Sequence, residues 1–515
     1  MNLQPVIGLE IHIQLKTKSK MFCGCNNKGE NEPPNTTVCA ICMGHPGTLP
    51  VLNDQALKWG VLLGMALNCE IPTYSKFDRK NYFYPDLAKG YQISQFDLPV
   101  ATGGNLEIDI PNTKAPRQIM NIRITRAHLE EDAAKSMHSD DGKATFVDYN
   151  RAGTPLVETV TEPDFRTAEE AKYFLQELQR IARYLGISDA DMEKGHLRCD
   201  ANISLRKIDD QGLPIDDVLH PKTEVKNINS FNAVERALNY EIKRQTELWQ
   251  TNSPPSISST RGWNEEKGIT EAQRTKEESH DYRYFPEPDL PPLDLSDIRE
   301  EMKSKLPELP RARRARFMDE YGLTYSDARI LTDDPEWSYF TENVFSELRA
   351  WLATTGEIEG TDAEINEATK AKLAKLVGGW LTSKLMGLMS EQSIDIRILK
   401  ITPENFAHFL TLIYENKINS TAAREILGIM LEAGEDPQQI VEERGLGQMG
   451  DENELEEIIE NVIKNNPAEI EKLKAGEVKV LKFLIGVIMK ETKGRANPKI
   501  AETILNKLLG IEKSE

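Results

Sequence analysis

The sequence predicts an α+β protein: an N-terminal antiparallel-sheet cradle domain over residues 1–295, a helical domain over 296–400 and a small all-α tail domain over 401–515. Three observations predict it. Runs of strict apolar/polar alternation, the period of a strand with one buried face, recur between residues 6 and 206. Within residues 1–290 only two helices read clearly, too few to cover both faces of a parallel sheet, which excludes a doubly wound fold. Beyond residue 296 the pattern turns helical and stays so.

The first strand is Gly-Leu-Glu-Ile-His-Ile-Gln (8–14), with Glu10, His12 and Gln14 on one side and Leu9, Ile11 and Ile13 on the other. Four clustered cysteines follow, Cys23-Gly-Cys25 and Cys39-Ala-Ile-Cys42, each pair beside Gly or Asn residues that let a turn aim both sulfurs at one ion. A structural zinc ion (Zn2+) in a closed four-thiolate shell is expected, with reduced thiols or a redox pair as the alternatives. Cys69 and Cys199 stand in apolar contexts and are expected to be buried. His-Leu-Glu-Glu-Asp (128–132) and Pro-Leu-Val-Glu (155–158) supply further polar-faced runs. A helix opens at Thr167, where Glu170 completes a capping box, presents Phe174, Leu178, Ile181 and Leu185 on one face and ends at Gly186. The next strand is the most regular: Arg198, Asp200, Asn202, Ser204 and Arg206 alternate with Leu197, Cys199, Ala201, Ile203 and Leu205. A second helix follows Ser230 and runs to about Trp249. Pro-rich stretches at 252–260 and 285–295 are loops ordered by what they pack against.

A solvated strand mixes Lys, Thr, Ser and Glu, whereas these polar faces hold carboxylates, one imidazole, amides and arginines. That set points to a shared chemical site, and it suits a hard cation such as magnesium (Mg2+), which takes few carboxylates and shares its other positions with water or phosphate.

Helices then read over 308–321, 325–331, 337–353 and 367–389, and a further unit follows the polar stretch near Asp451. From Lys472 to the end there are ten Lys or Arg against five Asp or Glu, the chain's best surface for an anionic polymer, unless it is an ordinary solvated helix face. The whole chain, at 515 residues and a net charge of -20, opposes indiscriminate binding to nucleic acid or anionic membrane. No apolar run approaches eighteen residues, the best being Phe483 to Met489, and the N-terminus lacks a secretory pattern, so a cytoplasmic protein with no membrane contact is expected. Gly445-Leu-Gly447-Gln-Met-Gly450 matches a dinucleotide fingerprint but follows a helix and precedes an acidic run, which would repel a pyrophosphate. No Walker A sequence or Gly-x-Ser-x-Gly elbow occurs.

Several long runs resemble one family. They are Val-Ile-Gly-Leu-Glu-Ile-His-Ile-Gln-Leu (6–15), Lys-Phe-Asp-Arg-Lys-Asn-Tyr-Phe-Tyr-Pro-Asp (76–86), Tyr-Gln-Ile-Ser-Gln (91–95), His-Leu-Glu-Glu-Asp-Ala-Ala-Lys (128–135), Asp-Tyr-Asn-Arg-Ala-Gly-Thr-Pro-Leu-Val-Glu (148–158) and Asp-Tyr-Arg-Tyr-Phe-Pro-Glu-Pro-Asp-Leu (281–290). The family is the GatB family, the B subunit of the bacterial aspartyl/glutamyl-tRNA amidotransferase, and the resemblance extends to the end of the chain through residues 483–490 and 493–498. It implies a heterotrimer, with an amidase and a small third protein as partners, that converts Glu-tRNA(Gln) or Asp-tRNA(Asn) to the amide. The B subunit is implied to phosphorylate the side-chain carboxylate with ATP, after which ammonia channelled from the amidase displaces phosphate. In these terms Glu10, His12, Glu131, Glu158 and Asp200 are the catalytic set, with His12, Glu131 and Glu158 as magnesium ligands. Lys80, Arg198, Asn202 and Arg206 are implied to meet phosphate and substrate, and Tyr82 and Tyr282 to stack the terminal adenosine, unless those rings simply anchor loops. Lys472, Lys474, Lys479, Lys482, Lys490, Lys493 and Arg495 are the implied contacts to misacylated tRNA. No glutamine-hydrolysing constellation is recognisable, so ammonia must come from a partner.

Two other readings compete. A non-catalytic tRNA-binding scaffold of the same complex would share the basic tail but leave the clustered Glu, His and Asp unexplained. An independent metal-dependent hydrolase would need neither tail nor partner.

Overall fold

In strand β1 (Asn2–Gln14) the alternation is obeyed: Leu9, Ile11 and Ile13 are fully buried, while Glu10, His12 and Gln14 are half-buried on the other face. The structure is a computed structural model that describes residues 2–111, 118–139, 141–215, 218–275, 282–355, 362–448, 452–474, 477–492 and 495–510. It divides into two compact units, Met1–Ala312 and Arg313–Glu515.

In the first unit β1 is joined by β2 (Ala101–Ile110), β3 (Gln118–Glu131), β4 (Pro155–Thr161), β5 (Leu197–Ile208), β6 (Thr223–Ile228), β7 (Ser259–Asn264) and β8 (Ile269–Thr275). They form one eight-stranded sheet in the order β8-β7-β6-β5-β1-β4-β3-β2. All neighbours are antiparallel except β6 and β7. That exception departs from the antiparallel sheet expected, and it has a physical cause. Helix α3 (Phe231–Gln250) lies between the two strands in sequence and supplies the long crossover a parallel pair requires.

One face of this sheet is covered by helices. Helices α1 (Asp54–Ala66), α2 (Ala168–Tyr184) and α3 contribute Val61, Leu63, Phe174, Leu178, Ile181, Val234 and Leu238 to a core with Leu9, Ile11, Ile13, Leu129 and Val157. α1 approaches the sheet so closely that a Cβ on Gly64 would stand 2.5 Å from the Cβ of Ala101. α2 begins as the sequence indicates: Glu170 N–H donates to Thr167 Oγ1 at 3.2 Å, and Thr167 N–H donates to the Glu170 carboxylate at 3.1 Å. Such a cap stabilises a helix by about 1 kcal/mol. A small three-stranded sheet of Asp78–Asn81, Tyr91–Ser94 and Phe285–Pro286 carries Lys80.

The second unit is helical: α5 (Pro310–Tyr321), in which the division falls, α6 (Tyr325–Leu331), α7 (Pro335–Thr355), α8 (Asp362–Trp380), a π-helical turn at Leu381–Leu385, α9 (Met386–Glu391), α10 (Pro403–Tyr414), α11 (Ser420–Ala433) and α12 (Pro437–Arg444). The short α4 (Ser296–Lys305) still packs in the first unit against α1. Buried side chains from Phe317 to Val441 make one core. Ile401, Phe406 and Phe409, placed in the tail by the sequence reading, belong to this core, because Phe406 packs on Phe340 of α7. A separate core from Leu455 to Leu505 is built by α13 (Glu452–Asn465), α14 (Pro467–Lys474), α15 (Val478–Glu491) and α16 (Pro498–Leu509). Among the described residues no helix is long and apolar enough to cross a membrane.

Candidate active site

Strand register assembles the site on the face of the sheet away from the helices. Cα pairings of Arg198 with His12, His12 with Glu158 and Glu158 with His128 set four polar side chains in one row across β5, β1, β4 and β3. His12 Nε2 lies 3.3 Å from the Glu158 carboxylate and 3.5 Å from that of Glu130. His128 Nε2 lies 3.3 Å from the same Glu158 oxygen and 3.7 Å from Glu130. Burial disfavours charge on every member of this group, yet opposite charges outweigh it. The His128 pKa is raised to about 9 because Glu158 and Glu130 overcome desolvation. His12 is raised against burial by Glu158 and Glu130, although Arg198 opposes. Glu158 and Glu130 are held below the usual carboxylate range despite burial, chiefly by the imidazoles.

One donor atom each from His12, Glu130 and Glu158 lie within 4.8 Å of one another. One imidazole and two nearly buried carboxylates, which repel each other without a cation between them, fit a divalent ion that keeps open positions for water or phosphate. Glu131, expected among these ligands, is not in the cluster. Strand parity sends it to the opposite side of β3, where it pairs with Lys89 and accepts Ile93 N–H at 3.0 Å. Its neighbour Glu130 takes the position.

Beside this cluster, Glu10 faces Asp200 across β1 and β5 and accepts the Asn202 amide at 2.9 Å. Asp200 accepts Lys226 Nζ at 2.7 Å; burial opposes the Lys226 charge, but Asp200 and Glu224 raise its pKa. Arg198 donates to Asp132 at 2.6 Å, and Asp132 stays ionised in its buried position mainly through Arg198 and Arg151. Arg198 Nε and Asn202 Oδ1 are buried without a hydrogen-bond partner among the described residues, which leaves capacity for a bound group. Lys80 is half-buried, and desolvation works against its ammonium, but Glu130, then Tyr284, Glu158 and Tyr82, hold its pKa up. Its Nζ lies 5.0 Å from the ring centroid of Tyr282 and 6.0 Å from that of Tyr82. Arg206 is not brought to the site. It donates to Gln4 at 2.6 Å, eight residues along β5 from Arg198 and so roughly 27 Å away at about 3.4 Å per residue.

Sequence reasoning missed Glu130, His128, Asp132 and Lys226. The first three stand in the run His-Leu-Glu-Glu-Asp and share one parity; Lys226 lies in Thr-Glu-Val-Lys-Asn-Ile, where Val225 and Ile228 have opposite parity and Asn227, at φ +62, breaks the alternation.

The four clustered cysteines form a second convergence. Sulfurs of Cys23, Cys25, Cys39 and Cys42 lie within 4.8 Å of one another, those of Cys39 and Cys42 at 3.9 Å. A tetrahedral zinc with Zn–S near 2.3 Å requires sulfurs about 3.8 Å apart, so the group fits a structural metal. All six cysteines are free; Cys199 is buried on the apolar face of β5 as expected, whereas Cys69 is only half-buried.

In the second unit Lys472, Lys474, Lys479, Lys482, Lys490 and Arg495 are exposed, and Lys493 lies outside the described residues. Lys479, Lys482 and Lys490 share one face of α15. A cleft of about 620 Å³ that the sequence reading did not single out is lined by Lys372, Lys375, Lys384 and Arg424 with Trp380 and Tyr414. No described acidic side chain pairs with these four cations; Lys372 and Lys375 stand three residues apart on α8, Lys384 lies in the π-helical turn and Arg424 on α11.

Residues 5–301 match the GatB/GatE catalytic domain and residues 363–509 the GatB domain. The chain is 44% identical over 510 residues to the B subunit of the aspartyl/glutamyl-tRNA(Asn/Gln) amidotransferase of Persephonella marina, covering 99% of this chain and 100% of the relative. It is 44% identical over 514 residues to the protein of the same name from Thermotoga maritima, covering 99% of each, and 44% over 513 residues to that of Crocosphaera subtropica, covering 98% and 97%. A full-length likeness of this order, together with a catalytic-domain match that contains the whole polar face, places the chain in the GatB family, the B subunits of the aspartyl/glutamyl-tRNA(Asn/Gln) amidotransferases.

Proposed function

We propose that this chain is the activating member of a cytoplasmic, tRNA-dependent amidotransferase. A side-chain carboxylate oxygen of glutamate or aspartate esterified to tRNA attacks the γ-phosphorus of ATP and ADP leaves. Ammonia then attacks the acyl carbon and expels phosphate, giving the amide. A carboxylate is a poor electrophile and an acyl phosphate supplies the leaving group, so the protein's work is to hold two anions together. The observation that carries this reading is the convergence of His12, Glu130 and Glu158 beside the half-buried cation Lys80 on the sheet face away from the helices.

His12, Glu130 and Glu158 would hold a magnesium ion, which when bound supplies neutralisation of phosphate charge. Glu10, Asp200 and Asn202 flank it and supply further oxygen donors to the same pocket. Lys80 and Arg198 set fixed positive charge beside the transferring phosphoryl group and need not move during the reaction. The rings of Tyr82 and Tyr282 stack the terminal adenosine. The exposed tail lysines, with the cationic cleft at Trp380 and Tyr414, meet the tRNA backbone. Ammonia arises in the amidase partner and reaches this site through a channel, with a small third protein completing the heterotrimer.

The test is amidation by the reconstituted heterotrimer with Glu10→Gln, His12→Ala or Glu158→Gln in this chain. Each variant is expected to lose ATP-dependent amidation by about 100-fold or more while glutamine hydrolysis by the partner stays near normal. Near-normal amidation in all three at saturating magnesium would overturn the assignment and favour a non-catalytic scaffold.

A further inference from the structure

Lys20 is buried to 0% exposure, one of the largest fully buried side chains in the protein. A buried ammonium is costly unless an anion offsets it. No described carboxylate does so. Among the described residues its Nζ has two hydrogen-bond partners, the Tyr149 carbonyl at 3.4 Å and the Cys42 sulfur at 3.9 Å. A single carbonyl is a weak return for a desolvated charge, so the countercharge has to come from the sulfur side. Four thiolates around one divalent ion carry two negative charges beyond those the ion cancels, and Cys42 is one of the four.

The lysine is held in place from both directions. Its own N–H donates to the Cys25 carbonyl at 3.0 Å, which ties it to the cysteine loop. Its stem runs past Gly153, whose backbone has φ +84; a Cβ there would stand 3.5 Å from the Cβ of Cys42 and 3.6 Å from Cδ of Lys20. Gly153 accepts the Met21 N–H at 2.7 Å and donates to the Asp132 carbonyl at 2.9 Å, so the segment that feeds β4 also walls in the ammonium. Nothing in this packing leaves the side chain a route to solvent.

We propose that Lys20 is the built-in counter-cation of the four-cysteine centre, present to neutralise part of the excess charge of a tetrathiolate metal. The inference rests on the reading of Cys23, Cys25, Cys39 and Cys42 as a zinc site and adds a residue outside the ligand set. It carries a consequence of opposite sign in the two forms of the protein. With metal bound, the charge of Lys20 stabilises the loaded centre. With metal removed, the same ammonium loses that anionic partner, and an apolar side chain of similar length suits the pocket at least as well.

The test is full-length protein with Lys20→Met or Lys20→Arg, with zinc affinity measured by competition against a chelator and melting followed in zinc-loaded and stripped samples. Lys20→Met is expected to weaken zinc binding about tenfold or more and to lower Tm in the loaded form only, with the stripped form melting at or above stripped wild type. Lys20→Arg keeps the charge and is expected to bind zinc within about threefold of wild type. Should Lys20→Met not fold, Lys20→Gln is compared with Lys20→Arg on the same scale, and the charge-keeping variant is expected to bind more tightly. Equal zinc affinity in the neutral variant and wild type, equal losses in the neutral and arginine variants, or an equal loss of Tm in loaded and stripped samples would each overturn the role of Lys20 while leaving the zinc site standing. Wild-type protein that holds no zinc would overturn both.

Discussion

Glu130 and Glu131 are consecutive in β3 yet leave it on opposite sides of the sheet: Glu130 meets the imidazoles of His12 and His128, and Glu131 is paired with Lys89 and the backbone of Ile93. The two carboxylates therefore answer different questions when altered. Glu130→Gln is expected to lower affinity for a divalent cation, read with Mn2+ by electron paramagnetic resonance, by about tenfold or more. Glu131→Gln is expected to keep that affinity and to destabilise the protein by about 3 kcal/mol, because it leaves a nearly buried Lys89 without its anion. Cation affinity lost in Glu131→Gln and kept in Glu130→Gln would reverse the assignment.

The His128 pKa, raised to about 9, makes a pH dependence with a definite sign. A histidine whose folded pKa lies above its ordinary value of about 6.5 contributes its full stabilisation below that pH and loses it as pH climbs through the folded value. Without added magnesium, Tm of wild type is expected to fall between pH 6.5 and 9 more steeply than that of His128→Asn. The difference corresponds to at most about 3 kcal/mol. Parallel profiles would show that His128 is not charged in the folded state.

The cysteine centre is expected to bind about one zinc ion per chain and to brace the loop of residues 20–45. Cys39→Ser, or chelation, should lower Tm and speed hydrogen exchange in that loop before the rest of the first unit. Metal analysis that finds no zinc, with all four thiols freely alkylated, would remove the site.

Deleting residues beyond 453 removes the core of Leu455 to Leu505 and leaves that of Phe317 to Val441 whole. The truncated heterotrimer is expected to show a raised KM for misacylated tRNA with a modest loss in kcat, and a salt dependence shallower by about 0.7 to 0.9 in log–log slope for each phosphate that the tail no longer neutralises. Unchanged affinity with lost turnover would place the tail in catalysis.

What the sequence made legible follows the range of the signal. Which face Glu10, His12, Asp200 and Asn202 occupy is local, because alternation in β1 and β5 states it without reference to any other element. Which of Glu130 and Glu131 joins them is not local. Two adjacent acids satisfy either parity, and only the register that sets His128 opposite Glu158 decides. Arg206 illustrates the same limit along the strand: it has the parity of Arg198 and lies at the far end of β5, against Gln4. Lys226 joins the site only because β6 pairs with β5, which its own segment does not reveal. In the helical part, amphipathic spacing located helices well, but which helices share a core depends on packing such as that of Phe340 with Phe406 across distant segments.

The central claim, activation of a carboxylate on the polar face of this sheet, is tested most directly by incubating the heterotrimer with γ-phosphate-labelled ATP and Glu-tRNA(Gln) or Asp-tRNA(Asn) in the absence of any amide donor. Label is expected to appear on the misacylated tRNA as a species that hydroxylamine discharges, and to be absent with His12→Ala or Glu158→Gln. Amide formation on later addition of ammonia without any such labelled species, or equal labelling by the His12 and Glu158 variants, would contradict the account.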